Sequence, residues 1–367
     1  MEKLNIALVH EWITNTAGSE RVLLIFKELF PEADIFTSVY DENKAPIFKQ
    51  FKINTSFLQR IPFMKRRREL LIPFTPLAFE QFDLSKYDLV ISSSSMAAKG
   101  VITKPNTIHI SYCHTPPRYL WEPNTDPRAS KGRFGWLRQN TVHKMRLWDR
   151  LAADRVDIFL ANSNYAANRI KKYYGRDAIV VHPPVDIAKF TPAPQSEIKN
   201  YYLFVSRLVD YKKCDIVIKA FNRLKLPLKI IGRGPDKNKL MKIAKDNIEF
   251  LGYLNDEDMK KYYSEARAFV FAAEEDFGLV PLEAMSSGRP VIAYGKGGVR
   301  ESVVDGETGI FFDRQDEDSL AAAVKRFETM EFSSERIRKH AENFSVENFK
   351  KKLMEQIQNI INKTEGK

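Results

Sequence analysis

Short apolar runs of strand length alternate with helical stretches along the chain, and this alternation restricts the fold more than any other feature. In the first half the apolar runs are NIALVH, ADIFTSV, YDLVISSS, TIHISYC, VDIFLANS and AIVVHPP, and residues 17–30 are predicted to form the first intervening helix. Short hydrophobic strands separated by helices are typical of a mostly parallel sheet that is covered by helices on both faces. We therefore predict a doubly wound α/β domain.

The same alternation begins again in the second half, after a change in composition. Residues 184–199, PVDIAKFTPAPQSEIK, are rich in proline and polar side chains and are predicted to be a linker. The runs YYLFVSRL, LKIIGRG, NIEFLGYL, RAFVFAA, RPVIAYG and TGIFF follow it. Since 367 residues also exceed what one hydrophobic core usually supports, we predict two Rossmann-like domains, 1–183 and 200–345, that face a cleft. A last helix, 346–367, is predicted to pack back onto the first domain.

Cysteine usage and hydropathy restrict the compartment. The chain has two cysteines, Cys113 and Cys214, which lie far apart and lack a metal-binding spacing such as C-x2-C. This usage is typical of a reducing compartment. No apolar run approaches the roughly 18 residues that a membrane-spanning helix requires, and the first residues enter a strand without a signal-peptide pattern. We therefore expect a cytoplasmic protein.

Positive charge is concentrated in the first half. The net charge is +11, and residues 1–183 carry +9 of it. Two segments mix basic with apolar and aromatic residues: 60–68, which includes Lys65, Arg66, Arg67 and Arg68, and 128–150, which includes Phe134, Trp136 and Trp148. Such segments can bind an anionic membrane face or a diphosphate. No nucleic-acid-binding signature accompanies the charge, so we do not expect nucleic acid as a partner. The first domain is predicted to dock on the inner face of the cell membrane, and a plain solvated surface is the alternative.

Two carboxylates eight positions apart bracket a turn that contains a glycine. Glu275 follows the apolar run ARAFVF, and Glu283 lies on a helix predicted over residues 279–287. The backbone N–H groups at the start of that helix belong to Gly278, Leu279 and Val280. A helix N-terminus favours a phosphate, and the carboxylates on either side can accept hydrogen bonds from hydroxyl groups. The pattern indicates a nucleotide-sugar site, and an acidic loop that caps an ordinary helix is the alternative.

Two further motifs follow strands of the second half. Arg207 and Lys212 stand five positions apart at a strand–helix junction, where they can clamp a diphosphate from two sides. The alternative is that Lys212 and Lys213 are the exposed start of a helix. Gly232 lies in IIGRGP, which lacks the third glycine of a dinucleotide fingerprint, so NAD binding is not expected. The GKGG run at residues 295–298 gives the backbone room beside a ligand or forms a tight turn.

In the first half, two strand-end segments are candidates for the same site. Gly18 lies in the loop that joins the first strand to the first helix, where backbone N–H groups can face a phosphate or an acceptor hydroxyl. His114 directly follows a strand and precedes two prolines, so it is well placed to hydrogen-bond a reacting sugar. A structural histidine is the alternative. His10 and His182 also lie near strand ends, in settings that are less distinctive.

The acidic triplets at residues 256–258 and 316–318 are predicted to begin helices rather than to bind a metal ion. We therefore predict no metal site and no cofactor.

Taken in order, these motifs resemble one family across nearly the whole chain. They are VHEW with AGSERVL, YDLVISSSSMAAKGV, YCHTPPRYLW, ANSNYAANRI, HPPVD, VSRLVDYKK, FLGYL and EEDFGLVPLEAMSSGRPVIAYGKGG. The chain resembles the retaining GT-B glycosyltransferases of family 4, and within them the bacterial O-antigen type mannosyltransferases that use GDP-mannose. One departure is that Ala17 and Gly18 stand where the family usually has two glycines.

The resemblance implies roles for particular residues. Glu283 would hold the ribose hydroxyls and Glu275 the hydroxyls of the donor sugar. Arg207 and Lys212 would hold the diphosphate, and His114 would lie near the anomeric centre. The nucleotide base would be held by backbone groups around Gly252, Tyr253 and Leu254.

The resemblance also implies a reaction without metal and without a protein nucleophile. The acceptor hydroxyl would attack from the front face, and the departing phosphate oxygen would take its proton. We expect transfer of mannose to a saccharide acceptor, linked to a lipid diphosphate, in surface polysaccharide synthesis. A nucleotide-sugar epimerase or hydrolase of the same fold, or a non-catalytic binder of membranes or polyanions, are the alternatives.

Overall fold

The computed structural model describes residues 4–61, 72–122 and 135–365. The chain divides into two compact units. Unit 1 comprises Met1–His182 together with Lys350–Lys367, and unit 2 comprises Pro183–Phe349.

Unit 1 is built on a seven-stranded sheet in which all neighbouring strands are parallel. Its strands are β1 (Ile6–His10), β2 (Asp34–Thr37), β3 (Ile53–Thr55), β4 (Leu89–Ser94), β5 (Ile108–Cys113), β6 (Ile158–Ala161) and β7 (Ala178–Val180). They lie in the order β3-β2-β1-β4-β5-β6-β7. The helices are α1 (Gly18–Leu29), α2 (Thr75–Glu80), α3 (Arg118–Trp121), α4 (Gly135–Asp154) and α5 (Asn164–Tyr174). Every residue of β4 is buried, as expected for a strand that is covered on both faces.

Unit 2 is built on a six-stranded parallel sheet. Its strands are β8 (Tyr202–Val205), β9 (Leu228–Ile231), β10 (Ile248–Gly252), β11 (Ala268–Phe271), β12 (Val291–Tyr294) and β13 (Gly309–Phe312), in the order β10-β9-β8-β11-β12-β13. Its helices are α6 (Cys214–Leu224), α7 (Lys237–Ile243), α8 (Asp256–Glu265), α9 (Leu279–Ser286), α10 (Val299–Ser302), α11 (Glu317–Phe327) and α12 (Ser334–Ala341).

The strands of unit 2 alternate between two hydrophobic cores. Phe204 and Val270 pack in one core with side chains of α6 and α11, whereas Leu203 and Phe269 pack in the other with side chains of α8 and α9. Because successive strand residues point to opposite faces, this division shows a sheet covered on both sides. The predicted doubly wound α/β fold is confirmed in each unit.

Two segments join the units in sequence. Residues 184–199, predicted to be a linker, are grouped with unit 2, because Val185, Ile187 and Phe190 are buried in one of its cores. The last helix, α13 (Val346–Glu365), is grouped with unit 1 from Lys350 onward. The Lys350 Nζ lies 2.6 Å from a carboxylate oxygen of Glu28 on α1.

In both sheets the strand order reverses once, and ligands of open parallel sheets bind beyond the carboxyl ends of the strands at such a point. In unit 1 the reversal lies between β1 and β4, and in unit 2 between β8 and β11. Of the residues that the sequence predicts for function, Arg207 and Lys212 lie in the loop after β8, and Glu275 and Gly278 lie in the loop after β11.

Candidate active site

The loop after β11 leads directly into the N-terminus of α9. Gly278 is the residue before the helix, and Leu279 and Val280 are its first two residues. Glu275 lies in the loop and Glu283 in the helix, and both are partly exposed. The predicted helix at 279–287 is therefore present as Leu279–Ser286, with its N-terminal N–H groups between the two carboxylates.

Lys212 and Glu275 form an ion pair that joins the loop after β8 to the loop after β11. Their side chains are 15% and 19% exposed, so the pair is shielded but can be reached from solvent. The neighbouring Lys213 adopts a left-handed backbone conformation and lies 3.5 Å from Asp210 instead. Of the two lysines, Lys212 is thus the one that faces the predicted sugar-binding carboxylate. Arg207 is exposed in the same loop.

Glu283 is held by a residue that the sequence did not single out. The hydroxyl of Tyr263, on α8, donates a hydrogen bond of 2.9 Å to Glu283 Oε2. Burial, and next the Glu283 carboxylate, raise the pKa of the Tyr263 hydroxyl well above its usual value, so it remains a donor. Tyr263 therefore fixes one oxygen of the predicted ribose-binding group.

The GKGG loop after β12 packs against the backbone of Glu275. The Gly298 N–H donates a hydrogen bond of 2.9 Å to the Glu275 carbonyl oxygen. Gly297 has φ +80°, and a Cβ atom there would lie 2.4 Å from the same oxygen. Only glycine fits this position without strain. The close neighbour of these glycines is the loop that carries Glu275.

A second close backbone approach orders the loops after β8, β9 and β10. At Gly232 a Cβ atom would lie 1.8 Å from the Ser206 carbonyl oxygen, and the Gly232 N–H donates a bond of 2.7 Å to the Gly252 carbonyl. Tyr253 is 68% exposed, and the Arg233 guanidinium lies 4.9 Å from the centre of its ring. Leu254 is partly buried against the core below. The predicted base-binding segment thus exposes an aromatic ring beside a basic group.

In unit 1, His114 is joined to His10 through a serine hydroxyl. The Ser93 Oγ lies 2.8 Å from His114 Nε2 and 3.1 Å from His10 Nδ1. His10 is buried, and burial, and next His114, lower the pKa of His10 to about 3. Sequence reasoning placed His10 near a strand end, but gave no reason to link it to His114.

The segment after His114 is fixed by a buried polar network. Arg169 donates to Thr115 Oγ1 at 2.5 Å, and its guanidinium lies 2.8 Å from Glu122. At the end of α3, Trp121 Nε1 donates a 2.7 Å bond to Asp149, which also pairs with Lys99. The Lys99 and Asp149 side chains are both 1% exposed. These contacts tie the YCHTPPRYLW motif to α4 and α5.

Gly18 is the first residue of α1, directly after Ala17. Between β1 and α1, the buried Glu11 carboxylate accepts backbone hydrogen bonds from four consecutive residues, Ser95 to Ala98. The start of the β1 loop is therefore attached to the loop after β4.

The acidic triplets are helix starts, as predicted. Asn255 caps α8 and Asp316 caps α11, each accepting a backbone hydrogen bond through its side chain. Among the described residues there is no group of three or more His, Cys, Asp or Glu that could hold a metal ion.

Part of the predicted membrane-binding surface lies outside the described residues. The residues in that part are Lys65, Arg66, Arg67, Arg68 and Phe134, together with the side chain of Trp136. Of the second basic segment, Lys144 is exposed on α4, whereas Arg146 donates to the Leu120 carbonyl at 2.8 Å. Within the described ranges, no helix combines the length and hydropathy needed to cross a membrane.

Comparison with known proteins assigns the chain to a class. Residues 187–344 match the family described as Glycosyl transferases group 1, and residues 17–189 match Glycosyltransferase Family 4. Together the two matches run through both units, and each unit has the doubly wound sheet of the GT-B fold. The chain belongs to the family 4 GT-B glycosyltransferases.

Individual relatives are distant. A D-inositol 3-phosphate glycosyltransferase of Geodermatophilus obscurus is 30% identical over 224 residues, covering 52% of this chain and 50% of the relative. A GDP-mannose-dependent monoacylated alpha-(1-6)-phosphatidylinositol monomannoside mannosyltransferase of Corynebacterium glutamicum is 32% identical over 202 residues, covering 47% and 53%. The matches thus span about half the length of these curated relatives. HepE of Anabaena, solved with UDP and glucose, has a TM-score of 0.71 at 16% identity and covers 97% of this chain and 100% of its own, which shows the fold alone.

Proposed function

We propose that this protein is a retaining hexosyltransferase that moves mannose from GDP-mannose to a saccharide acceptor. The observation that carries the proposal is the pairing of Lys212 with Glu275 beside the N-terminus of α9. A cation, a carboxylate and a row of backbone N–H groups at a strand-order reversal suit a diphosphate that is linked to a sugar. The mannosyl donor is supported by the resemblance of the motifs and by the Corynebacterium glutamicum relative.

In this proposal each half of the donor meets a different group. Arg207, Lys212 and the α9 N-terminus stabilise the negative charge that grows on the diphosphate as the glycosidic bond breaks. Glu275 accepts hydrogen bonds from the sugar hydroxyls, and Glu283, fixed by Tyr263, accepts them from the ribose. His114 contacts the transferred sugar. The acceptor hydroxyl loses its proton to the leaving phosphate oxygen, so the reaction needs no protein base.

The direct test separates transfer from hydrolysis and from binding alone. The protein is incubated with GDP-mannose, with and without a saccharide linked to a lipid diphosphate, and free GDP, free mannose and glycosylated acceptor are measured. We expect acceptor-dependent release of GDP and an α-linked product. Release of free mannose at the same rate without acceptor would indicate a hydrolase. In parallel, the melting temperature is measured with GDP-, UDP-, ADP- and dTDP-sugars, and stabilisation by GDP-mannose above the others is expected.

We also propose that unit 1 docks on an anionic membrane face, where a lipid-linked acceptor would be found. Large apolar side chains are exposed on its helices: Leu147 and Leu151 on α4, which are 56% and 63% exposed, and Leu77 on α2, which is 51% exposed. Leu147 and Leu151 lie one turn apart with Lys144 on the same outward face. Apolar residues beside basic ones are typical of a surface that binds anionic lipids.

This second proposal has a matched control in unit 2, where Met241 and Ile243 are exposed apolar residues at 49% and 37%. The double variant Leu147→Ser, Leu151→Ser should weaken co-sedimentation with phosphatidylglycerol-containing liposomes at low salt. The double variant Met241→Ser, Ile243→Ser should not. Equal binding by both variants and the wild type would contradict docking through α4. No binding by the wild type would indicate that the acceptor is soluble.

A further inference from the structure

The carboxyl ends of β1, β4 and β5 bring together three polar side chains, of which the proposed function uses only one. His10 ends β1, Ser93 lies in β4 and His114 follows β5. His10 and Ser93 are directly opposite each other in the parallel pair β1–β4. The two distances from Ser93 Oγ, 3.1 Å to His10 and 2.8 Å to His114, are those of hydrogen bonds. One hydroxyl therefore joins two imidazole rings.

Only one hydroxyl proton is available for the two hydrogen bonds that join Ser93 to His10 and His114. A serine hydroxyl has one proton, so Ser93 donates to one ring and accepts from the other. If Ser93 donates to His114 Nε2, the neutral His114 ring carries its proton on Nδ1. If Ser93 donates to His10, the proton of His114 is on Nε2. The hydrogen bond that one ring nitrogen makes thus decides which nitrogen of His114 is protonated.

The surroundings of His10 keep it neutral. It is 1% exposed, and its lowered pKa of about 3 means that it carries no charge at neutral pH. A neutral ring offers one donor and one acceptor, so His10 can complete the bond of Ser93 in either direction. A buried polar ring costs free energy unless it is hydrogen-bonded, and the bond with Ser93 meets this requirement.

We propose that His10 is a positioning residue that, through Ser93, fixes the tautomer and the ring orientation of His114 for its contact with the transferred sugar. This inference rests on the proposed function. His114 is also held from its backbone, since its N–H donates a 2.8 Å bond to the Ser94 carbonyl. The backbone bond sets where the residue lies, and the Ser93 bond sets how its ring is presented.

The same sheet provides a matched control. Ser92 Oγ lies 2.9 Å from His109 Nε2, and both residues are buried. Ser92 and Ser93 are neighbours in β4, and their side chains point to opposite faces of the sheet. Ser92→Ala therefore removes a serine–histidine bond of the same kind from the same strand, without touching His114.

The first measurement is steady-state kinetics of mannosyl transfer. Ser93→Ala and His10→Leu should each lower kcat about tenfold, because one neutral hydrogen bond that orients a reacting group is lost, while KM for GDP-mannose changes little. His10→Asn places an amide near the position of Nδ1 and should restore most of the rate. Ser92→Ala should keep the wild-type kcat. A wild-type kcat in Ser93→Ala, or an equal loss in Ser92→Ala, would overturn the inference.

The second measurement needs no activity, so it separates failure of this inference from failure of the proposed function. Long-range ¹H–¹⁵N correlation spectra report the tautomer of each histidine in the whole protein, and His114→Gln assigns its signals. We expect one dominant tautomer of His114 in the wild type and in Ser92→Ala, and a mixture or the other tautomer in Ser93→Ala. An unchanged His114 tautomer in Ser93→Ala would contradict the inference even if transfer is observed. Absence of transfer by the wild type would contradict the proposed function alone.

Discussion

The strand-end loops of the two units are held in place by different means. In unit 2 the loops approach each other through backbone, at Gly232 and at Gly297, and the charged pair Lys212–Glu275 remains partly exposed. In unit 1 the loops are held by buried side chains: four N–H groups bind the Glu11 carboxylate, and Lys99 pairs with Asp149 out of contact with water.

This difference indicates which charged side chains can bind a ligand and which hold the loops in place. Charges that are partly exposed can exchange one partner for a ligand at low cost, because water and neighbouring groups still solvate them. Charges that are fully buried cannot lose a partner without a large penalty. Under the proposed function, the partly exposed charges of unit 2 are therefore the ones suited to bind a donor. The buried charges of unit 1 are suited to fix the segment that carries His114.

The comparison is tested most strongly at Asp149. Asp149→Ala would leave the buried ammonium of Lys99 without its carboxylate, and we expect a loss of about 3–5 kcal/mol in the free energy of unfolding of unit 1. All four tryptophans lie within the first 148 residues, so tryptophan fluorescence during urea denaturation reports on this unit. In unit 2, Asp318 pairs with Arg223 while its side chain is 67% exposed. Unit 2 has no tryptophan, so far-UV circular dichroism is used for this control. Asp318→Ala should leave the free energy of unfolding unchanged, and an equal loss in both variants would contradict the difference between the two units.

The next largest effect is expected at Lys212. Lys212→Ala should lower kcat about 100-fold or more while weakening donor binding less, since the charge that Lys212 meets grows in the transition state. Lys213→Ala is the control, because Lys213 pairs with Asp210 rather than with Glu275. Arg207→Ala should resemble Lys212→Ala. If Lys213→Ala is the damaging change, the assignment of the clamp is off by one residue.

Glu283 is expected to act on affinity. Glu283→Ala should weaken GDP-mannose binding on the order of 100-fold, because two charge-assisted hydrogen bonds to ribose are lost. Tyr263→Phe removes only the group that orients Glu283, and a smaller loss of about fivefold is expected. Isothermal titration calorimetry measures both values. Unchanged affinity in Glu283→Ala would exclude the ribose-binding role.

The last prediction is that removal of divalent metal ions leaves the rate of transfer unchanged. We expect transfer to continue in excess EDTA, because under the proposed function Arg207, Lys212 and the α9 N-terminus supply the positive charge at the diphosphate. The rate is compared before and after EDTA, and then after addition of Mg²⁺ or Mn²⁺. Loss of transfer that either ion restores would show that these groups are insufficient.

The same difference explains what could be predicted from the sequence. The fold and the helix α9 follow from local patterns, because each pattern acts over a few residues. These patterns are the strand alternation, a proline tolerated in the first turn of α9 (Pro281) and a glycine just after its end (Gly288). The buried polar contacts of unit 1 do not follow from local patterns, because Ser93 contacts His10 across 83 positions and Lys99 contacts Asp149 across 50. No periodicity marks which buried polar residues will pair. Residues 184–199 show the same limit. Their prolines indicate a linker, and no local pattern shows that Val185, Ile187 and Phe190 are buried in a core of unit 2.

The Lys212–Glu275 pair also bears on how a catalytic cycle ends. Under the proposed function, the donor must separate the two side chains, the lysine turning to phosphate and the carboxylate to sugar. After the sugar has been transferred, GDP has no sugar hydroxyl to donate to Glu275. Glu275 then competes with the nucleotide for Lys212, and it does so at a high effective concentration because both side chains belong to the same site. Glu275 would thus promote release of GDP. The carboxylate that binds the sugar would then also set the rate at which the site becomes available to the next donor.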